Sequence, residues 1–157
     1  MKNLYLLVTV SIVAFYSTLN AQWVRSNGPS GGIYSLAASD TCLFAGNNNG
    51  KIFRSTDTGT NWTVVYNGTS GTRTDAIAAS DTNLFAANGI GVLRSTNNGT
   101  TWALVGLTGN IYPQALAVSD TNLFAGTYVS GVFRSTNNGT NWSAVNSGLT
   151  GSALFIT

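Results

Sequence analysis

The segment STDTGTNW at residues 55–62 decides the fold, because it recurs as STNNGTTW at residues 95–102 and as STNNGTNW at residues 135–142. The copies begin at residues 55, 95 and 135, so the period is 40 residues. A repeated unit of this kind buries its apolar surface against copies of itself. The sequence therefore predicts an array of near-identical modules, and we call the repeated segment the box.

Each module divides into four short apolar segments that are separated by turn-forming residues. In the first module these are residues 34–38, a run through Leu43 and Phe44, residues 51–54, and a segment that starts at Trp62. Gly, Asn, Ser and Asp bound the segments, and apolar residues do not recur with the 3.6-residue period of a helix. We therefore expect four-stranded antiparallel meanders and almost no helix.

A four-stranded module of this length is the sequence signature of a β-propeller blade. We predict an all-β fold, a β-propeller segment of about three four-stranded antiparallel blades at residues 33–67, 74–107 and 114–147. Partial strands are expected at both ends, at residues 22–27 and 152–157. Known propellers contain about four to eight blades, so the expected ring is incomplete. A parallel β-solenoid is the alternative, although its rungs are much shorter than this module.

The box resembles the Asp-box, or bacterial neuraminidase repeat, whose pattern is S/T-x-D-x-G-x-x-W. The resemblance covers roughly residues 23–157, nearly all of the chain after the predicted signal peptide. It implies a propeller like those of sialidases, polysaccharide hydrolases, sortilin-like receptors and photosystem II assembly factors. These families share little chemistry, so the resemblance bears on fold more than on function. The matching residues are Ser55, Asp57, Gly59, Trp62, Ser95, Asn97, Gly99, Trp102, Ser135, Asn137, Gly139 and Trp142.

The box residues also suggest a structural role by their own chemistry. A carboxylate at Asp57 accepts backbone N–H bonds in an Asx turn, Gly59 allows a positive φ, and Trp62 packs between sheets. Asn97 and Asn137 replace the acid in the other two copies and carry no charge. Since calcium prefers several carboxylate oxygens, we expect no metal at the boxes.

The first 21 residues predict a signal peptide. A basic start is followed by an apolar run from Leu4 to about Tyr16, and Ala21 is the small residue expected before a cleavage site. An uncleaved anchor is the alternative, but the run is too short to span about 30 Å of hydrocarbon. We therefore expect no stable membrane span after cleavage, and a protein that is secreted, periplasmic or at the cell surface.

The composition offers few groups for catalysis. Charged residues make up 8% of the chain, which contains no His and no Glu. Hydrolysis of sugars needs two carboxylates or, in sialidases, a Tyr nucleophile and an Arg triad. Arginines do recur at residues 54, 94 and 134, but their strict step with the box favours a structural pairing. Cys42, the single cysteine, is expected to be a half-buried strand thiol with no role.

These observations exclude several classes of function. We predict no catalytic residue, no metal and no cofactor, because the few charged side chains are spread along the repeats. The net charge of +2 comes without a basic cluster, so no nucleic-acid partner is expected.

The variation between modules locates a candidate binding surface. In a meander, the first-to-second and third-to-fourth turns lie at one edge of the sheet, and the other loops lie at the opposite edge. The self-similar turns share the first edge, so the variation falls on the second, which we call the variable-loop face. Loops that vary on a rigid scaffold are common recognition sites, although they can also serve only as connections. The candidate binding residues are Tyr34, Arg73, Asp75, Tyr112, Gln114 and Tyr128.

The sequence therefore predicts an exported, non-enzymatic scaffold that binds an unidentified protein or glycan through its variable-loop face. The alternative is the N-terminal part of a sialidase-like or polysaccharide-cleaving glycoside hydrolase whose catalytic residues lie beyond residue 157. A third hypothesis, binding of a partner protein in the manner of the assembly factors, predicts basic or aromatic residues on the same face.

Overall fold

The computed structural model describes residues 28–40, 42–80 and 83–149, in which every regular element is a β-strand. The predicted signal peptide and the predicted partial strands at 22–27 and 152–157 lie outside the described residues. The strands form three four-stranded antiparallel sheets, each with consecutive strands paired. They are β1 (Ile33–Ser39), β2 (Cys42–Asn47), β3 (Ile52–Ser55) and β4 (Thr63–Tyr66) in blade 1; β5 (Thr74–Ala79), β6 (Leu84–Asn88), β7 (Gly91–Ser95) and β8 (Ala103–Gly106) in blade 2; and β9 (Pro113–Ser119), β10 (Asn122–Thr127), β11 (Val132–Ser135) and β12 (Ser143–Ala144) in blade 3.

The three blades stand side by side in a radial array. The first strands of neighbouring blades are in contact, with β5 between β1 and β9, so these are the inner strands. The fourth strands β4, β8 and β12 form the outer edges. This arrangement is a partial β-propeller, as the repeat predicts, rather than a solenoid.

Apolar side chains fill the junctions between blades. Phe44 and Phe85 project from the second strands of blades 1 and 2 and are 0% and 2% exposed. Leu84 and Leu123 meet them from the following blade, each 2% exposed. Burying a side chain of this size contributes roughly 1.5–3 kcal/mol, so stacking of the blades supplies the stability that no disulfide provides.

The box forms the same turn in all three blades. In blade 1, Asp57 Oδ1 accepts the backbone N–H of Asn61 at 2.8 Å, and the indole of Trp62 donates to the Gly59 carbonyl at 3.0 Å. Gly59 has a φ of +88°. Equivalent bonds recur in the other two copies, where Asn replaces Asp. The turn therefore depends on a side-chain oxygen at this position rather than on a charge.

Two predictions about local structure are wrong. The fourth strands begin one residue after each Trp, because the indole is bonded back to the turn and the residue belongs to it. Cys42 is 2% exposed rather than half-buried, since it lies in the core between blades 1 and 2. There its sulfur accepts a hydrogen bond from Arg54 at 3.3 Å, and the equivalent Arg94 donates to Asn83 at 2.8 Å.

Candidate functional site

An open depression with a volume of about 640 Å³ lies on the variable-loop face, where the three inner strands begin. Each blade contributes to its lining, so the site depends on the stacking of blades. All the candidate binding residues line it: Tyr34 from blade 1, Arg73 and Asp75 from the start of blade 2, and Tyr112, Gln114 and Tyr128 from blade 3.

A β-bulge in each inner strand turns one side chain toward this depression. In blade 1, Ile33 pairs with Asn47 and Ser35 pairs with Gly46, which leaves Tyr34 as the extra residue. The same shift in register leaves Asp75 unpaired in blade 2 and Gln114 unpaired in blade 3. Bulges re-aim side chains and often lie beside functional sites. The backbone thus presents one bulged side chain per blade to a common space.

The variable loops are held by one recurring backbone hydrogen bond. In each blade, the residue that follows the second strand donates its N–H to a carbonyl just before or at the start of the inner strand. The bonds are Asn48 N to Gly32 O at 3.0 Å, Gly89 N to Arg73 O at 2.9 Å, and Tyr128 N to Tyr112 O at 3.0 Å. Each loop is therefore fixed beside the candidate residues of its own blade.

Buried amides support the depression from below. Asn47 is 1% exposed, and its Oδ1 accepts the N–H of Lys51 at 2.9 Å, which closes the loop between β2 and β3. Asn88 is completely buried, and its amide donates to the Gly50 carbonyl of blade 1 at 3.1 Å and to the Thr74 hydroxyl at 2.9 Å. Asn88 therefore joins two blades directly beneath the site.

The charged part of the site is a compact group at the junction of blades 1 and 2. The Arg73 guanidinium lies 4.6 Å above the ring of Tyr34 and is bonded through Nε to the Asp75 carboxylate. Burial raises the pKa of Asp75, and the hydrogen bond and charge of Arg73 oppose that effect. The Arg73 side chain remains 41% exposed, whereas that of Asp75 is 14% exposed. The cation is thus oriented by a ring and a carboxylate while still open to a ligand.

Three tyrosine side chains are accessible at the site. Tyr34 and Tyr128 are each 52% exposed, and Tyr112 is 43% exposed. Tyr112 has a φ of +48°, and its hydroxyl donates to Asn110 at 3.2 Å. A left-handed backbone is costly for a bulky residue and is often found at binding sites.

The described residues contain few side chains that could bind a metal or catalyse hydrolysis. They contain no group of three or more His, Cys, Asp or Glu side chains placed to hold a metal. Among the described residues that line the depression, Asp75 is the one carboxylate. The described part of the chain also contains no helix that is long and apolar enough to cross a membrane.

Several residues that shape the site are not among the candidate binding residues. Asn49, Thr72 and Gly89 line the depression, and Asn47 and Asn88 support it. A signal for the last two was present, because Asn ends the second strand of two consecutive modules at the same repeat position. The composition masks that signal, since Asn is common in the turns of this chain.

No protein-family model and no curated protein matches the sequence. Solved structures do match its fold. The chain is similar to the computationally designed Ika4 protein, with a TM-score of 0.67 and 14% identity over 82% of this chain and 80% of that one. It is similar to an ancestral GH74 enzyme, with a TM-score of 0.64 and 21% identity over 74% of this chain. It is also similar to peptide-bound YCF48, with a TM-score of 0.62 and 18% identity over 71% of this chain.

The match spans 18% of the GH74 enzyme and 40% of the YCF48 chain. At these identities the likeness concerns the fold alone, and it agrees with the sheet order and the radial array. The described chain is therefore a three-blade segment of a β-propeller.

Proposed function

We propose that this chain is an exported, non-enzymatic Asp-box propeller that binds a protein or glycan through its variable-loop face. The observation that carries the proposal is the convergence of side chains from three blades on one open depression. Concave sites with a few convergent polar groups among aromatic rings are typical of ligand binding. Export rests on the signal-peptide pattern of residues 1–21.

The lining has the chemistry of a recognition surface. Exposed tyrosine rings offer flat faces that pack against sugar C–H groups or apolar side chains, at a small entropic cost. Arg73 offers a fork of donors that Asp75 and the Tyr34 ring hold in place. Such a fork suits a carboxylate, a backbone carbonyl or a pair of sugar hydroxyls.

The structural neighbours support both classes of ligand. YCF48 was solved with a D1 peptide bound, and a GH74 neighbour with a TM-score of 0.54 is a xyloglucanase. The similarity to GH74 enzymes also supports the second candidate, the front part of a polysaccharide-cleaving hydrolase. That candidate requires a further carboxylate near the depression, because glycoside hydrolysis uses two.

The test is a binding screen of the purified, exported chain against a glycan array and a peptide library. We expect a hit that is lost when Arg73, Asp75 and Tyr128 are all changed to Ala. The matched control changes Thr56, Thr96 and Thr136 to Ala, because these exposed residues lie in the boxes at the opposite edge. Both triple variants should unfold within about 1 kcal/mol of the parent, because the control positions are exposed and the first variant removes both partners of the Arg73–Asp75 pair together.

The outcomes separate the hypotheses. Binding that survives the first triple variant and is lost in the control places recognition on the box edge and refutes the proposed face. Release of reducing sugars from a bound polysaccharide by the natural full-length product would favour the hydrolase over the scaffold.

A further inference from the structure

Asparagine followed by glycine is a chemically labile pair. Because glycine has no side chain, its backbone nitrogen can approach the amide carbon of the preceding asparagine closely and close a five-membered ring. The sequence contains six such pairs, which begin at Asn27, Asn49, Asn67, Asn88, Asn98 and Asn138. Asn27 lies outside the described residues, and the other five pairs differ in whether the nitrogen of the glycine is hydrogen-bonded.

Four of the five described glycines donate their N–H to an acceptor. Gly50 and Gly89 donate to backbone carbonyls at 3.2 Å and 2.9 Å. Gly99 and Gly139 donate to the hydroxyl of the serine that begins their box, at 2.9 Å in each case. A nitrogen held in this way reacts only after the backbone opens locally, so these four pairs are protected by the fold.

The pair Asn67–Gly68 lacks this protection. It lies in the connection between β4 and β5, outside the strand ladders. Asn67 is exposed, and within the described part of the chain neither its side chain nor the Gly68 N–H makes a hydrogen bond. The Gly68 nitrogen is therefore available for reaction in the folded state.

Gly68 also packs closely on blade 1. It has a φ of +68°, and a Cβ there would collide with the Gly50 carbonyl carbon and lie 2.7 Å from the carbonyl oxygen of Asn49, which lines the depression. The Gly50 carbonyl accepts the buried Asn88 amide at 3.1 Å, in the bond that joins blades 1 and 2 beneath the depression. A change in main-chain length before Gly68 would disturb this contact.

We propose that Asn67 is a site of spontaneous modification, where the folded chain converts asparagine to aspartate and isoaspartate. The deprotonated Gly68 nitrogen bonds to Cγ of Asn67, the bond from Cγ to the amide nitrogen breaks, and that nitrogen takes up a proton from water and leaves as ammonia. Water then adds to one of the two carbonyls of the succinimide, and the ring nitrogen regains a proton as its bond to that carbonyl breaks. Both products are negatively charged. Isoaspartate also adds one carbon to the main chain, which displaces Gly68 from Gly50.

Incubation of the purified chain at mildly alkaline pH, followed by tryptic digestion and mass spectrometry, measures the conversion at each pair. We expect Asn67 to convert at least about tenfold faster than the four protected asparagines, which react only through local opening. In concentrated urea that protection is lost, so the five rates should agree within about threefold. Asn67→Gln is the matched control, because the longer side chain closes a less favourable ring, and it should show no measurable conversion at residue 67.

Two results would overturn the assignment of the site. One is a rate at Asn67 in the folded chain that is no higher than the rates at the four protected pairs. The other is a difference in rate that persists unchanged in urea, because such a difference would come from the residues around each pair and not from the fold.

The isoaspartate product tests the contact between Gly68 and Gly50. It can be purified by chromatography from the aged chain and identified by isoaspartate-specific methylation. Its thermal midpoint should lie at least about 2 °C below that of Asn67→Asp, which adds the charge without the extra carbon. Equal midpoints would show that the longer main chain leaves the contact intact, and would overturn the proposed displacement.

Discussion

Replacing Gly99 by Ala tests how the box sits on the neighbouring blade. A Cβ at Gly99 would collide with Cε1 of Phe44 and would lie 2.7 Å from its Cζ, and the Phe44 side chain is completely buried. The ring has no free space into which to move, because it lies in the core between blades 1 and 2. The added methyl group must therefore push the two blades apart or force the ring off its rotamer.

The magnitude follows from separating two costs. Gly99 has a φ of +72°, and a Cβ in the left-handed region costs about 1–2 kcal/mol. Overpacking a filled core adds about 1–3 kcal/mol. Gly109 isolates the first cost, since its φ is +81° and a Cβ there meets nothing within 4 Å. We therefore expect a loss of about 2–5 kcal/mol for Gly99→Ala and of about 1–2 kcal/mol for Gly109→Ala.

Urea unfolding followed by tryptophan fluorescence measures both free energies. The difference between the two variants reports the contact between blades, provided that the slopes of the transitions agree. Adding Phe44→Leu should relieve the clash, so the double variant should be more stable than the sum of the single losses predicts. Equal losses of unfolding free energy for the two Ala variants would refute the close contact between Gly99 and the Phe44 ring. Strictly additive losses for Gly99→Ala and Phe44→Leu would refute it as well.

Three further predictions concern side-chain hydrogen bonds and one charge. Trp102→Phe keeps most of the apolar contact but loses the indole bond to the Gly99 carbonyl, 3.1 Å long, so urea unfolding should show a loss of at least about 1 kcal/mol; an unchanged midpoint would contradict the role of that bond. Asn88→Ala leaves a buried carbonyl and a buried hydroxyl without their donor, and calorimetry should show a loss of roughly 2–3 kcal/mol rather than the few tenths typical of a surface Asn. Hydrogen bonds from Asn61 hold the pKa of Asp57 below its ordinary value of 3.8, so its ionised form stabilises the fold above that pH and the effect is lost as the pH falls through the folded-state pKa. Asp57→Asn gives blade 1 the residue that blade 3 has at this position, Asn137, and the melting temperature of the variant should fall less steeply below pH 3.8 than that of the parent; parallel curves would rule out this coupling.

The fold could be predicted because the repeat presents the same evidence three times. Each module has a Trp at the end of the box, as Trp102 in blade 2, and an arginine just before the box. These two landmarks align the modules and therefore show which strand follows which turn. The burial of Cys42 could not be predicted in the same way. Its neighbours across the junction belong to the next blade, and a single module gives no measure of how closely that blade approaches.

The edge of the sheets at which the site lies could be predicted from the sequence, but the arrangement of its side chains could not. Alternation of strand direction places Tyr34 and Asp75 on the variable-loop face, and that much follows from counting strands. The bulges that expel these residues from the ladder break the two-residue alternation, and the sequence carries no mark of where the register shifts. The stacking of Arg73 on Tyr34 joins two modules, so it emerges only when the blades are placed together.

The way in which the variable loops are attached explains how one scaffold can carry different recognition surfaces. Each loop is tied to its blade by a bond between a backbone N–H and a backbone carbonyl, as in the bond from Gly89 to Arg73, and almost any residue can make such a bond. The apolar core, by contrast, lies in the junctions between the blades, and the buried side chains that support the depression are Asn47 and Asn88, not the exposed loop residues. Exchanging Tyr128 and Val129 for the corresponding residues of another blade should therefore change binding while leaving the unfolding free energy within about 0.5 kcal/mol of the parent. A larger loss of stability would mean that the loop side chains, and not the backbone bond, hold this face in place.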